Sequence, residues 1–108
     1  MNAVIYARYS SAAQTEQSIE GQLRVCHDYA ARNGMTIVHE YIDRAISGTS
    51  DRRPEFQRMI SDSENRKFQC VIVYKLDRFS RNRFDSLFYK RQLQKNGINV
   101  ASATEGIN

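Results

Sequence analysis

One stretch near the start of the chain, Ala3-Val4-Ile5-Tyr6-Ala7-Arg8-Tyr9-Ser10, sets both the architecture and the position of the reactive groups. Its first five residues form an apolar run typical of a strand buried on both faces of a sheet. Arg8 and Ser10 end the stretch and, two residues apart in an extended chain, point to the same side. Open α/β sheets bind ligands at the carboxyl ends of their strands. Guanidinium groups grip phosphates and a hydroxyl can act as a nucleophile, so we expect Ser10 to attack a phosphate held by arginines.

Strand-like and helix-like segments alternate along the 108 residues. Apolar and β-branched runs predict strands over 3–9, 36–42, 70–74 and 98–103. The order β-α-β-α-β-α-β requires right-handed crossovers. It predicts a three-layer α-β-α domain, with a mostly parallel sheet of at least four strands, over residues 1–108. The chain stops just after a strand that such folds usually follow with a helix, so we expect it to be part of a longer protein.

Three helices are predicted between the strands from apolar residues spaced three and four apart. The first follows a small polar loop at 10–15, is capped at Thr15 and ends at Asn33-Gly34. The second begins at Pro54, and the third spans 82–96 and ends at Gly97. The residues at helical spacing, most of them apolar, are Ile19, Gln22, Leu23, Cys26 and Ala30 in the first, Phe56, Met59 and Ile60 in the second, and Phe84, Leu87, Phe88 and Arg91 in the third.

Positive charge is concentrated in one part of the chain. The net charge is +4, and the segment 75–95 alone carries seven basic and two acidic residues. Arginine outnumbers lysine by twelve to four, which favours phosphate recognition over simple solubility. The distribution indicates a polyanionic partner such as DNA, with a solvated helix face as the alternative.

Cysteine and histidine usage argues against a metal site or a disulfide framework. Cys26 and Cys70 match no CxxC or zinc spacing and are expected to be buried as small hydrophobic side chains. His27 and His39 have no carboxylate at a metal-site spacing. No apolar run approaches the roughly 20 residues of a membrane span, and no signal peptide precedes the first strand, which favours the cytosol.

Two further polar segments are candidates for the site. The first, Asp77-Arg78-Phe79-Ser80-Arg81, follows the third predicted strand and therefore lies at the same sheet edge as Arg8. Asp77 could orient an arginine or shuttle a proton, although surface salt bridges would give the same pattern. The second is the loop 47–54, where Arg53 could supply another guanidinium; a loop that merely leads into a helix is the alternative.

Attack on a phosphodiester places negative charge on the non-bridging oxygens. Enzymes neutralise that charge with carboxylate-held metal ions or with preorganised cations, and this chain offers arginines. A nearby arginine also favours the alkoxide form of a serine. The residues do not identify the base, and Ser11 rivals Ser10 as the nucleophile.

Four motifs together resemble the catalytic domain of serine recombinases, a family of resolvases, invertases, transposases and large phage-type integrases. They are Tyr6-x-Arg8-x-Ser10, Ser18-Ile-Glu-Gly-Gln22, Ser47-Gly48 leading to Arg53-Pro54, and Asp77-Arg78-x-x-Arg81. The resemblance covers essentially the whole chain, keeps the family's order and is greatest to the large serine recombinases. It implies a resolvase-like fold and site-specific cleavage and rejoining of DNA.

The resemblance also implies a role for each site residue. Ser10 would form a 5′-phosphoserine link to DNA and free a 3′ hydroxyl, with no metal or cofactor required. Asp77 and Gln22 match polar active-site positions, and Arg52 is the alternative to Arg53. The arginines that would bind and activate the scissile phosphate are Arg8, Arg53, Arg78 and Arg81.

The family works as dimers that assemble into tetramers. The chain ends before the long helix that makes those contacts and before any DNA-binding domain, so we expect this fragment to be monomeric or weakly associating. A non-catalytic phosphate- or nucleic-acid-binding module, which would be indifferent to Ser10, is the alternative from another class. A metal-dependent nuclease or phosphotransferase is a third reading, and sensitivity to a chelator would distinguish it.

Overall fold

The structure, a computed structural model, contains a four-stranded parallel sheet in the order β2-β1-β3-β4. It describes residues 1–9, 18–44, 53–80 and 83–106. The strands are β1 (Asn2–Tyr9), β2 (Thr36–Arg44), β3 (Cys70–Val73) and β4 (Asn99–Ser102). The helices are α1 (Ile19–Arg32), α2 (Pro54–Asp62), α3 (Leu76–Phe79) and α4 (Arg83–Lys95), and a short 3-10 turn, Ser63–Asn65, follows α2. The predicted parallel α/β fold is confirmed.

Strand β1 lies in the middle of the sheet and is buried on both faces. Its residues alternate between two apolar clusters, with Ala3 and Ile5 facing one and Val4 and Tyr6 facing the other. Helix α1 covers the first face, while α2, α3 and α4 contribute side chains to the second. These are the three layers that the sequence predicts, and they explain why the strand residues from Ala3 to Ala7 are aliphatic or aromatic.

Helix α1 begins later than the sequence pattern predicts. Ser18, not Thr15, is its N-cap, and the Ser18 hydroxyl accepts a hydrogen bond from the Gly21 N–H at 3.1 Å. Starting at Ile19 puts the first apolar residue directly into the core. Thr15 itself lies outside the described residues.

The structure also differs from the prediction at the end of β2 and in the segment after β3. Strand β2 continues to Arg44, so Asp43 belongs to the strand and is buried, although the sequence pattern ends the strand at residue 42. The segment after β3 contains the separate short helix α3, which the prediction did not resolve.

The apolar stripe predicted for α4 does not face the core. Phe84, Leu87 and Phe88 are 78%, 56% and 55% exposed. The helix instead turns Leu93 inward, and the Tyr89 ring packs edge-on against Phe56 with 4.9 Å between centroids. Residues 89 and 93 are one turn apart, so the predicted stripe, including the exposed Arg91, lies on the opposite side.

Both cysteines are buried in the cluster beneath α1, as predicted. Burial raises the pKa of the Cys26 thiol to about 12 and that of Cys70 to about 11. Both therefore stay protonated near neutral pH, which suits packing and opposes nucleophilic reactivity. Within the described ranges, none of the helices has the length and apolar character needed to cross a bilayer.

We expect Phe56→Ala to lower the free energy of unfolding by about 3–5 kcal/mol, because the ring is fully buried and packs against Tyr6, Phe79 and Tyr89. The matched change Phe84→Ala should alter it by no more than about 0.5 kcal/mol, because that ring is exposed. Denaturant titration measures both. Equal losses would mean that α4 packs through its predicted stripe after all.

Candidate functional site

The candidate site lies at the carboxyl edge of the sheet, where β1 and β3 end side by side. Arg8, near the end of β1, reaches across to the short helix α3 that follows β3. Its Nη2 donates to the Asp77 carbonyl at 2.7 Å and its Nε to the Arg78 carbonyl at 3.4 Å. The two main-chain acceptors fix the plane of the guanidinium without neutralising its charge.

Arg53 also contacts α3, and it does so from the start of α2. It is the N-cap residue of α2, and its Nη2 donates to the Phe79 carbonyl while its Nε donates to the Tyr6 hydroxyl at 3.3 Å. The guanidinium also lies over the Phe56 ring, 3.7 Å from the centroid. An arginine stacked on an aromatic face and hydrogen-bonded to a carbonyl is held in one orientation.

Arg78 is the third arginine at this edge and the most buried. Its Nη1 donates to Asp77 Oδ1 at 3.0 Å. Burial, and then the nearby positive charge of Arg8, lower the pKa of Arg78. Arg8, Arg53 and Arg78, called the arginine cluster below, thus gather around α3 although their charges repel. Such an arrangement is suited to an anion, which would relieve the repulsion.

Gln22, on α1, supports the arginine cluster through a hydrogen bond to the backbone of Arg8. The side chain is fully buried, and its Nε2 donates to the Arg8 carbonyl at 3.1 Å. It therefore acts on the backbone at the end of β1, immediately before the segment that contains Ser10.

A buried carboxylate that sequence reasoning missed connects this site to the core. Asp43 Oδ2 accepts hydrogen bonds from the Tyr6 hydroxyl at 2.8 Å and the Phe56 N–H at 3.0 Å, and Oδ1 accepts one from the Glu55 N–H at 3.0 Å. It caps α2, whose own N-cap residue Arg53 makes no side-chain capping bond. The missing cap before Pro54 was the available signal, because the first N–H groups of a helix need an acceptor from elsewhere.

Tyr6 links that carboxylate to the arginine cluster. Burial is the main reason that the pKa of Tyr6 is raised above its usual range, so the phenol stays protonated. It donates to Asp43 and accepts from Arg53, and thereby transmits the position of the carboxylate to the guanidinium.

Of the predicted site residues, the structure brings together Arg8, Arg53, Arg78, Asp77 and Gln22. Ser10, Arg81 and the loop residues 47–52 lie outside the described residues. The same is true of Ser11, the rival of Ser10, and of Arg52, the alternative to Arg53.

The family model described as "Resolvase, N terminal domain" matches residues 3–108. The chain belongs to the resolvase family. The resemblance given by the four motifs is therefore confirmed. No curated protein sequence gives a significant match.

Solved structures of serine recombinases agree with this assignment. The N-terminal catalytic domain of TP901-1 integrase is 38% identical, with a TM-score of 0.85, and the match covers 99% of this chain and 80% of that one. A resolvase family site-specific recombinase from Streptococcus pneumoniae is 35% identical, with a TM-score of 0.87, over 99% of this chain and 74% of that one. The C-terminal catalytic domain of ISC1926 TnpA, an IS607-like serine recombinase, is 25% identical, with a TM-score of 0.80, over 98% and 72%.

The resolvase-family chain is thus the catalytic domain of a site-specific recombinase, and DNA is its substrate. In the part of the chain that the structure describes, no three His, Cys, Asp or Glu side chains are grouped to hold a metal ion. At the edge of the sheet, the guanidiniums of Arg8 and Arg53 are hydrogen-bonded to backbone oxygens of α3.

A pair of tyrosines tests the link between the core and the recombinase site. Tyr6 and Tyr41 are both buried, and each donates to a carboxylate, at 2.8 Å to Asp43 and 2.7 Å to Asp62. We expect Tyr6→Phe and Tyr41→Phe each to lower the free energy of unfolding by about 1 kcal/mol. Only Tyr6→Phe should slow DNA cleavage, by about tenfold or more, because only Tyr6 contacts Arg53.

Denaturant titration measures the free energy of unfolding of each variant. The rate of strand cleavage is measured with the full-length recombinase, at a temperature well below the unfolding midpoints of both variants. Equal cleavage rates for the two variants would show that Tyr6 serves stability alone.

Proposed function

We propose that Ser10 is the nucleophile of the recombination reaction and that the arginine cluster binds the scissile phosphate. The observation that carries this proposal is the convergence of Arg8, Arg53 and Arg78 on the carbonyl-lined helix α3. In the sequence, Ser10 follows Arg8 by two residues, and Arg8 is one of the three arginines of the cluster.

In the cleavage step, Ser10 Oγ attacks the phosphorus and forms an O–P bond while the bond from phosphorus to the 3′ oxygen breaks. Ser10 gives up its proton to a base, and the departing 3′ oxygen takes a proton to become a hydroxyl. The product is a 5′-phosphoserine, which conserves the phosphate ester. Attack by a 3′ hydroxyl on that ester reverses the step and rejoins the strand without a cofactor.

The arginine cluster stabilises the charge that develops on the non-bridging oxygens during both steps. Preorganised donors are most effective when nothing has to move as the charge forms. Arg8 and Arg53 meet that requirement because carbonyl groups hold them before DNA arrives. We assign Arg81 to the same phosphate, by its match to the family motif.

Asp77 and Gln22 serve the cluster in different ways. Asp77 orients Arg78 through the hydrogen bond from Nη1. Gln22 is fully buried and holds the Arg8 carbonyl, so its part is to fix the end of β1 and not to touch DNA.

We further propose that residues 1–108 act as the catalytic part of a longer recombinase that works as a dimer and a tetramer on DNA in the cytoplasm. Strand exchange at two duplexes requires four nucleophiles, one for each strand. The exposed stripe of Phe84, Leu87 and Phe88 supports association with other protein surfaces, because apolar groups of this size are usually covered.

Covalent trapping tests the nucleophile. The full-length recombinase is given its recombination site with a nick that prevents rejoining, in the presence of a chelator. We expect a denaturation-resistant protein–DNA adduct with wild type and Ser11→Ala and none with Ser10→Ala, because only Ser10 supplies the attacking oxygen.

A binding assay accompanies the trapping and shows that each variant still engages the site. Arg78→Gln should reduce the adduct while Arg32→Gln, an exposed arginine at the far end of α1, should not. If wild type binds the site and never forms an adduct, the arginines are a DNA-binding surface and the proposed mechanism is wrong.

Sedimentation tests the association of the chain itself. We expect the 108-residue chain to sediment as a monomer or in a weak, concentration-dependent equilibrium, since three exposed apolar side chains support association but bury less area than a stable interface needs. A stable tetramer at micromolar concentration would contradict this.

A further inference from the structure

The segment after β4 closes over the start of α3. Glu105 Oε1 accepts a hydrogen bond from the Leu76 N–H at 2.8 Å and another from the Ser102 hydroxyl at 2.9 Å. Helix α3 has no cap of its own, because Lys75 at its N-cap position makes no side-chain capping bond. A residue 29 positions away therefore supplies the acceptor that the start of this helix needs.

Glu105 is itself held in place by the backbone around it. The Ala103 N–H donates to the Val73 carbonyl at 2.8 Å, and the Thr104 hydroxyl donates to the Tyr74 carbonyl at 2.7 Å. The Glu105 N–H donates to Ser102 Oγ at 3.1 Å. The hydrogen bond from Leu76, followed by that from Ser102, lowers the pKa of Glu105, so the ionised carboxylate is the form that caps α3.

Helix α3 depends on outside support because it is only four residues long. Helices of one turn are unstable on their own, since few hydrogen bonds offset the loss of backbone freedom. Its backbone bonds to its own flanks are Arg78 N–H to the Lys75 carbonyl at 2.9 Å and Ser80 N–H to the Leu76 carbonyl at 3.4 Å. Because α3 has so few backbone hydrogen bonds, the one that Glu105 accepts from the Leu76 N–H contributes strongly to the stability of this turn.

The same turn carries three main-chain oxygens that orient Arg8 and Arg53 within the described residues. Asp77 and Arg78 present their carbonyls to Arg8, and Phe79 presents its carbonyl to Arg53. These carbonyls are one to three residues beyond the capped N–H. A tilt of α3 about its start would move both guanidiniums together.

We propose that Glu105 is a positioning residue for DNA cleavage. By tying the start of α3 to the end of β4, its carboxylate fixes the carbonyls that orient Arg8 and Arg53, without touching DNA itself. The inference rests on the proposed binding of the scissile phosphate by those arginines, and it adds a fourth strand, β4, to the elements that control the site.

The test compares Glu105→Ala with Glu105→Gln in the full-length recombinase, using the nicked-site trapping assay. Alanine removes the acceptor, while glutamine keeps an oxygen that can accept from Leu76 and Ser102. We expect Glu105→Ala to slow adduct formation by about 10- to 100-fold with little change in DNA binding, because the cluster is misplaced and not removed. Glu105→Gln should restore most of the rate.

Asn96→Ala is the matched control. The Asn96 side chain also joins two distant segments, donating to Ser63 Oγ at 3.1 Å, but it precedes β4 and so lies at the opposite edge of the sheet. It should cost comparable stability and leave the cleavage rate unchanged. In NMR spectra of the 108-residue chain, the Nε–H resonances of Arg8 and Arg53 should shift in Glu105→Ala and stay in place in Asn96→Ala.

Ser102→Ala keeps the test decisive if Glu105→Ala does not fold. It removes the hydroxyl that holds the carboxylate, leaves the carboxylate in place, and should slow cleavage less than loss of Glu105 would. Wild-type rates in Glu105→Ala or, where that variant is unfolded, in Ser102→Ala would overturn the proposal, as would equal slowing by Asn96→Ala. Absence of the adduct in wild type would instead overturn the proposed function.

Discussion

The buried carboxylate of Asp43 is the interaction on which the geometry of this domain depends. It accepts hydrogen bonds from the Tyr6 hydroxyl on β1 and from the first N–H groups of α2, while it belongs to β2. Three elements are thereby fixed relative to one another by one side chain. A buried polar group needs such donors, so the packing of β1 and β2 and the position of the start of α2 depend on each other. Arg53 is positioned by the same carboxylate indirectly, because its Nε donates to the Tyr6 hydroxyl.

The rest of the site follows from the parallel arrangement of the strands. Because β1 and β3 are neighbours and run the same way, the residues that follow them meet at one edge, and Arg8 reaches α3 over a short distance. The charges there repel, and part of that repulsion is offset by carbonyl dipoles at Arg8 and Arg53 and by the Asp77 carboxylate at Arg78. A carboxylate partner on every arginine would compete with the phosphate, whereas a carbonyl orients the guanidinium and leaves its charge available to an anion.

Much of this could be predicted from the sequence because its signals are local. The apolar run ending at Arg8 and the buried run before Asp77 predicted β1 and β3, and Pro54 predicted the start of α2. What could not be predicted depends on distant partners. Asp43 looks like any polar residue that opens a loop, and the partner of Glu105 is 29 residues away. The exposed stripe on α4 misled because the helix carries apolar residues on two faces, and only tertiary contact with Phe56 selects Tyr89 and Leu93.

The use of main-chain oxygens as the acceptors for Arg8 and Arg53 has a consequence for how this domain can diverge. A carbonyl group is present whatever the side chain is, so substitutions within the α3 turn do not delete the acceptors as long as the turn keeps its shape. Selection on the supporting contacts therefore acts on backbone conformation more than on residue identity. Side chains of this turn that do not contact the cluster can therefore change, in nature or by engineering, while the carbonyls continue to orient the two guanidiniums.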